Sequence, residues 1–209
     1  MNNEWNRKIY KVWAPVYDVF FNQGMFIKAR QKVFQDVVFK KEEKILFAGV
    51  GTGADLRYLP SFPVEVTAVD YSQEMLEKAK EKYVDQDIHF IQMDAQHLEF
   101  QEDMFDTIIA SLILSVVPDP NQMIKEMARV LKPGGKIIIF DKFVPKDKGL
   151  SFGQKVVSPL IRLLGTDISV SFENLFQTIA GPCVVTKDNE VMMNGIYRHI
   201  VLEKKLHEV

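Results

Sequence analysis

Gly49-Val50-Gly51-Thr52-Gly53-Ala54 stands between a short apolar run, Ile45-Leu46-Phe47-Ala48, and a stretch with helical spacing at Ala54–Leu59. Glycines at such a junction let the backbone turn tightly and approach a ligand closely. Gly49, Gly51 and Ala54 also satisfy G-x-G-x-x-A, a spacing used for dinucleotides, so the loop alone leaves the ligand open. A tight strand–helix turn with no ligand is the plain alternative. Asp70 narrows the choice. It ends a second apolar run, 21 residues after Gly49, where a carboxylate can accept hydrogen bonds from both hydroxyls of a ribose. That placement suits an adenosine with free ribose hydroxyls and disfavours a 2′-phosphate, which would want Arg. Asp70 could otherwise be a helix cap, but Ser72 already serves that purpose.

These residues need strands and helices in alternation to bring them together. Ile45–Ala48, Val64–Val69, Ile88–Gln92, Thr107–Leu114 and Lys136–Phe140 read as strands. A helix capped by Ser72 carries Met75, Leu76 and Ala79 on one side. Another starts at Asp119-Pro120, with Gln122 placed to complete a capping box and Met123, Ile124, Met127, Ala128, Val130 and Leu131 as its apolar face. Pro133-Gly134-Gly135 ends it. Strands separated by helices imply a parallel sheet covered on both faces. Asn194-Gly195, between Glu190–Met193 and Ile196–Leu202, signals a closing antiparallel hairpin. Before the sheet, residues 4–21 and about 25–39 carry helical periodicity, the first interrupted by Pro15.

Composition removes several function classes. The chain has 209 residues, 26 Lys and Arg against 28 Asp and Glu, and a single cysteine, Cys183. Near neutrality argues against a nucleic-acid partner, because phosphate contacts need surplus Lys and Arg. One cysteine and four scattered histidines give neither a disulfide framework nor a metal site. No run approaches the roughly 20 apolar residues that span a bilayer, and the polar N-terminus lacks a signal-peptide layout. A cytoplasmic protein is expected, with peripheral membrane contact left open.

Five features in order, Gly49-x-Gly51-x-Gly53, Asp70, Asp94-Ala95, Phe105-Asp106 and Leu131-Lys132-Pro133-Gly134-Gly135, resemble the class I S-adenosylmethionine-dependent methyltransferases. The resemblance implies a Rossmann-like α/β fold: a seven-stranded, mostly parallel sheet with a C-terminal antiparallel hairpin and an N-terminal helical cap. It implies S-adenosylmethionine as cofactor and S-adenosylhomocysteine as product. Carried over residue by residue, Gly49, Gly51 and Gly53 lie along the methionine part, and Asp70, with Tyr71 beside it, serves the ribose. Asp94 accepts from the adenine amino group and the Ala95 N–H donates to a ring nitrogen. Ser111 and Leu112 line the methyl-transfer side. Two positions depart from the pattern: Phe47 stands where relatives often have an acid, and Val50 where they often have a small residue.

Tyr10-Lys11-Val12-Trp13-Ala14-Pro15-Val16-Tyr17-Asp18 resembles the tyrosine-rich N-terminal helix of bacterial phospholipid N-methyltransferases and quinone C-methyltransferases. That likeness puts Tyr17 beside the cofactor and Tyr10 toward substrate, while Trp13, Val16, Tyr17 and Phe20 could equally pack a helix on the core. Ser115 and Asp141, the latter just beyond the fifth strand, are further candidates for orienting substrate. The expected plan is one domain: a cap at 1–40, a cofactor-binding core at 41–142, a lid-like insertion at 143–182 and the hairpin at 183–209. A small or lipid-like acceptor is expected, with no conspicuous catalytic base. Two rivals stand beside it: an NAD-linked oxidoreductase, and a non-catalytic S-adenosylmethionine-binding protein or partner subunit.

Overall fold

In the computed structural model, which describes residues 23–145 and 169–206, the alternating segments form one seven-stranded sheet. Helix α1 (Gly24–Phe34) precedes strand β1 (Lys44–Ala48), which is followed by β2 (Glu65–Asp70), helix α2 (Gln73–Lys82), β3 (Ile88–Gln92) and β4 (Phe105–Ser111). Helix α3 (Pro120–Val130), β5 (Leu131–Lys142), the short helix α4 (Phe172–Gln177) and the hairpin of β6 (Cys183–Met192) and β7 (Tyr197–Lys204) complete it. The strand order is β3-β2-β1-β4-β5-β7-β6. The first five strands run parallel, and β7 and β6 are antiparallel. The expected sheet, with its antiparallel end, is the one observed.

Strand β1 shows why its residues are almost all apolar. Leu46 and Ala48 enter one buried cluster with Met123, Ile124 and Met127 of α3. Ile45 and Phe47 enter the other, with Ala29, Val33 and Phe34 of α1. A strand covered on both faces cannot alternate with polar residues. The order reverses between β1 and β4, and open α/β sheets bind ligands outside the carboxyl ends of the strands at such a switch.

Several boundaries differ from the sequence reading, each for a local reason. The helix expected at Ala54–Leu59 is a three-residue 3₁₀ turn, Leu56–Tyr58. Leu59 precedes Pro60 and is extended (φ −59°, ψ 145°), because a following proline ring disfavours the α region. Helix α1 stops at Phe34, short of the stiff β-branched and aromatic run Val37-Val38-Phe39. Strand β4 ends at Ser111, where Leu112 turns the chain with φ +56° and donates its N–H to the Phe140 carbonyl at 2.7 Å. Strand β5 starts at Leu131, paired with Phe105, and pairing resumes at Lys136 with Thr107, so Pro133-Gly134-Gly135 forms a bulge within the strand. Asp141 therefore lies inside β5 and not beyond it. At α3 the Asp119 side chain accepts from the Gln122 N–H at 3.0 Å, as expected of a cap. The reciprocal half of the box differs: the Asp119 N–H goes to Gln96 Oε1 at 2.7 Å.

The hairpin turn is as anticipated. Asn194 and Gly195 both have positive φ (50° and 86°), the signature of a type I′ turn. Strand β6, at the sheet's edge, breaks register between Val185 and Lys187 and again between Glu190 and Met192. The Lys187 ammonium pairs with Asp36 at 2.5 Å. The segment expected to carry Tyr10 and Tyr17 in a helix, and residues 146–168 of the insertion expected to be lid-like, lie outside the described residues. Phe172, within the segment 143–182, is buried, its ring 5.6 Å from that of Phe143. Among the described residues no helix is long and apolar enough to cross a membrane.

Two polar side chains of β7 are buried beside the hairpin. Arg198 is 2% exposed. Its Nε and Nη2 donate to Asp188 at 2.9 and 2.5 Å, and Nη1 lies 2.9 Å from Glu173 Oε1, off the hydrogen-bond line. The guanidinium also sits 5.7 and 5.2 Å from the Phe143 and Phe172 rings. His199 has a buried Nε2 with no hydrogen-bond partner among the described residues. Burial, reinforced by Lys187 and opposed by Asp36, pushes its pKa down from 6.5 to about 4. The unfolded chain then binds a proton the folded one refuses, so stability falls as pH drops from about 6.5 toward 4, by up to about 3 kcal/mol. Urea titrations across that window are expected to show a shallower pH slope in His199→Gln; parallel curves would remove His199 from the account.

Candidate functional site

Three strand ends meet at the switch point: the loop after β1, Asp70 closing β2 and Ser111 closing β4. The N–H groups of Gly49 and Val50 both donate to the Val69 carbonyl at 2.9 Å, which ties the loop to β2. Gly49 has φ +76°, and a Cβ there would lie 2.7 Å from the Ile113 side chain, so glycine is required twice over. Gly51 differs. Among the described residues a Cβ at Gly51 would meet nothing within 4 Å, so its backbone borders space in that part of the structure that a ligand can occupy.

Asp70 is half-buried and gathers the loop onto itself. Oδ2 accepts from the Gly51 N–H at 2.8 Å and Oδ1 from the Ser72 N–H at 2.9 Å. Burial raises its pKa, opposed by the N–H groups of Ser72, Gly51 and Tyr71, which favour the carboxylate. A carboxylate has about four acceptor positions, so the backbone bonds from Ser72, Gly51 and Tyr71 still leave Asp70 acceptor capacity for a ligand. Tyr71 accepts a bond at its carbonyl from Gln92 Nε2 at 3.1 Å, linking the site to the end of β3. The Ser72 hydroxyl caps α2 by accepting from the Met75 N–H at 3.3 Å.

On the other side of that strand end, Asp94 is held by Gln96. Its Oδ1 accepts from the Gln96 N–H and Nε2 at 2.9 Å, and Oδ2 from Nε2 at 3.1 Å. Ala95 is buried beside them. Gln96 was not singled out in the sequence, yet it orients Asp94 and satisfies Asp119 at the start of α3. Its i+2 spacing from Asp94 was the available signal.

Ser115 and Asp141 come together, but inward. They are 2% and 0% exposed, with Ser115 Oγ donating to Asp141 Oδ1 at 2.7 Å and the Lys142 N–H donating to the same oxygen at 2.7 Å. Burial raises the Asp141 pKa, opposed by these bonds and by Lys142. The pair pins the end of β4 to β5. Phe47 is likewise buried, in the cluster under α1. Tyr10 and Tyr17 lie outside the described residues. One contact has no counterpart in the sequence reading: Arg30 of α1 reaches Asp55, just past the glycine loop, with Nε 2.7 Å from Oδ1.

Residues 46–139 match the family described as a methyltransferase domain. The chain is 36% identical over 171 residues to a phosphatidylethanolamine N-methyltransferase of Cereibacter sphaeroides, covering 79% of this chain and 82% of that one. The chain belongs to the S-adenosylmethionine-dependent methyltransferases. The methyltransferase is also 34% identical over 143 residues to a demethylmenaquinone methyltransferase of Clavibacter sepedonicus, covering 66% of this chain and 58% of the relative. Among solved structures, an S-adenosylmethionine-dependent methyltransferase of Thermotoga maritima superposes with a TM-score of 0.71 at 19% identity, over 96% of this chain and 100% of that one. The [4+2]-cyclase SpnF superposes at 0.79 with 16% identity over 99% and 98% of the two chains. These two likenesses show the fold. The enzyme's cofactor is S-adenosylmethionine and not a dinucleotide. The open space at Gly51 and the acceptor capacity of Asp70 fit it.

Proposed function

We propose that this methyltransferase acts on a lipid-like acceptor, first of all the amine of a phosphatidylethanolamine headgroup. The observation that carries this is the 36% identity to a phosphatidylethanolamine N-methyltransferase across 82% of that relative's length. In this reading Asp70 takes the ribose hydroxyls, with Tyr71 beside it. The backbone of Gly49, Gly51 and Gly53 runs along the methionine part, and Asp94 and the Ala95 N–H take the adenine. Ser111, with Leu112, borders the path of the methyl group. Tyr17 closes on the cofactor, and Tyr10 faces the acceptor. The domain plan of cap, core, insertion and hairpin belongs to the same proposal.

The cofactor supplies a sulfonium methyl as electrophile. The chain's part is to align the acceptor in line with it and exclude water. The headgroup ammonium first gives one proton to solvent, and the neutral amine then attacks the sulfonium methyl with little further help, leaving a methylated ammonium and S-adenosylhomocysteine. Ser115 and Asp141 support that chemistry from beneath, bonded to each other and, through Asp141, to the Lys142 N–H. A lipid acceptor places the work at a membrane surface, with the protein peripheral to it.

A second reading, methylation of a quinone-type carbon, is supported by the 34% identity to a demethylmenaquinone methyltransferase. Labelled S-adenosylmethionine supplied with vesicles containing phosphatidylethanolamine, or a demethylated quinone, separates the two. Label in the phospholipid is expected. Label in the quinone alone would move the acceptor to the second reading, and label in neither would end the lipid-like proposal.

A further inference from the structure

A glycine loop of this kind is ordinarily steadied by the helix it runs into. Here the loop runs into the three-residue turn Leu56–Tyr58, and other contacts hold the segment. Two come from α1. Arg30 Nε donates to Asp55 Oδ1 at 2.7 Å, with the two side chains only 5% and 10% exposed. One turn further on, Phe34 stacks on Tyr58 with ring centroids 4.5 Å apart and planes within 8°. Lys82, ending α2, donates to the Thr52 carbonyl at 3.1 Å. Arg30 also lies over the Phe140 ring near the end of β5, 5.9 Å from its centroid. A buried charge is expensive unless paired, so an arginine between Ala29 and Val33 on the apolar face of α1 is placed there by its contact with Asp55. Helix α1 thus does for the loop what the missing helix would have done.

We propose that Arg30 is a positioning residue for the cofactor. Acting through Asp55, it sets the Gly49–Gly53 backbone against the methionine half of S-adenosylmethionine, and so makes cofactor affinity depend on how α1 is seated. This rests on the proposed role of Gly49–Gly53 as the cofactor loop. The adenosine half is held from elsewhere: Asp70 belongs to β2 and is also fixed by the Ser72 N–H, and Asp94 is fixed by Gln96. A disturbance at Arg30 therefore reaches one half of the cofactor more than the other.

The test uses the full chain and two ligands, S-adenosylhomocysteine and 5′-methylthioadenosine, which keeps the adenosine but lacks the amino-acid portion. The deciding variant is Arg30→Met with Asp55→Leu, which removes both charges together and leaves the site apolar. By calorimetry, S-adenosylhomocysteine is expected to bind about tenfold more weakly or worse, and methylthioadenosine less than about threefold more weakly. Arg30→Lys, which keeps a charge but not the planar fork, is expected between parent and double variant. If the double variant does not melt cooperatively, Arg30→Lys decides alone. Unchanged S-adenosylhomocysteine affinity, or equal weakening of both ligands, overturns the proposal. Asp70→Ala measured alongside should lose both ligands. If it loses neither, the cofactor site itself is misplaced, which is a different failure from that of Arg30.

Discussion

Asp70→Ala is expected to abolish measurable S-adenosylhomocysteine binding while leaving a cooperatively folded protein. In the proposed site the carboxylate accepts from both ribose hydroxyls, and hydrogen bonds to a charged group are worth about 1.5–3 kcal/mol each. Losing both costs about 3–6 kcal/mol, or roughly 10²- to 10⁴-fold in affinity. The same change releases the Gly51 N–H, which now donates to Oδ2 at 2.8 Å, so the loop loses its register with β2 as well. The fold has little to lose. Burial holds the Asp70 pKa above its ordinary value, so its stabilising contribution is present at low pH and gone once pH rises through the folded value. Asp70→Asn should fall between parent and alanine, because its amide can accept at one position only and presents N–H groups to N–H groups at the other. Calorimetric titration decides it: affinity within threefold of the parent in Asp70→Ala would exclude the ribose role.

Arg198→Met should produce the largest loss of stability among single changes in the described core. Arg198 joins β7 to Asp188 of β6, to Glu173 of α4 and to the rings of Phe143 and Phe172. Removing it takes two hydrogen bonds from Asp188, whose side chain is 14% exposed, and breaking a buried pair from one side costs about 3–5 kcal/mol. For a chain of this size that corresponds to a fall of about 10 °C in melting temperature. The double variant with Asp188→Leu should recover most of it, since both charges then leave together. A fall of under about 2 °C would mean that the aromatic packing alone holds α4 against the sheet.

The sheet was readable because its physics is local. A strand covered on both faces is apolar throughout, Ser72 and Asp119 cap the helices that follow them, and Asn194-Gly195 admits few turns other than the one observed. The glycine loop and Asp70 were readable as a pair, since a fixed spacing across one strand–turn–strand unit delivers both to the same strand ends. What escaped the sequence was non-local. Leu59 was read with its helical neighbours although Pro60 forbade it, and the Gln122 side chain was expected at an N–H that Gln96 occupies from 23 residues away. Arg30 and Asp55 are 25 residues apart and belong to no motif. The available hint was a cation within the apolar stripe of α1, which must have an anion somewhere. Ser115 and Asp141 lie near the carboxyl ends of β4 and β5, but no spacing rule says that two polar side chains there will face each other and not the crevice.

The broken register of β6 bears on how the molecule behaves in company. An outermost strand normally offers a row of unpaired amides on which another chain can continue the sheet. Here two bulges interrupt that row, at Val185–Lys187 and Glu190–Met192, and the lysine between them is tethered sideways to Asp36. A bulge twists the strand and leaves a residue out of the ladder, so a second chain finds no more than a few consecutive partners along this edge. The hairpin that completes the sheet is also where its growth stops, which protects a protein with an apolar core from polymerising through that side.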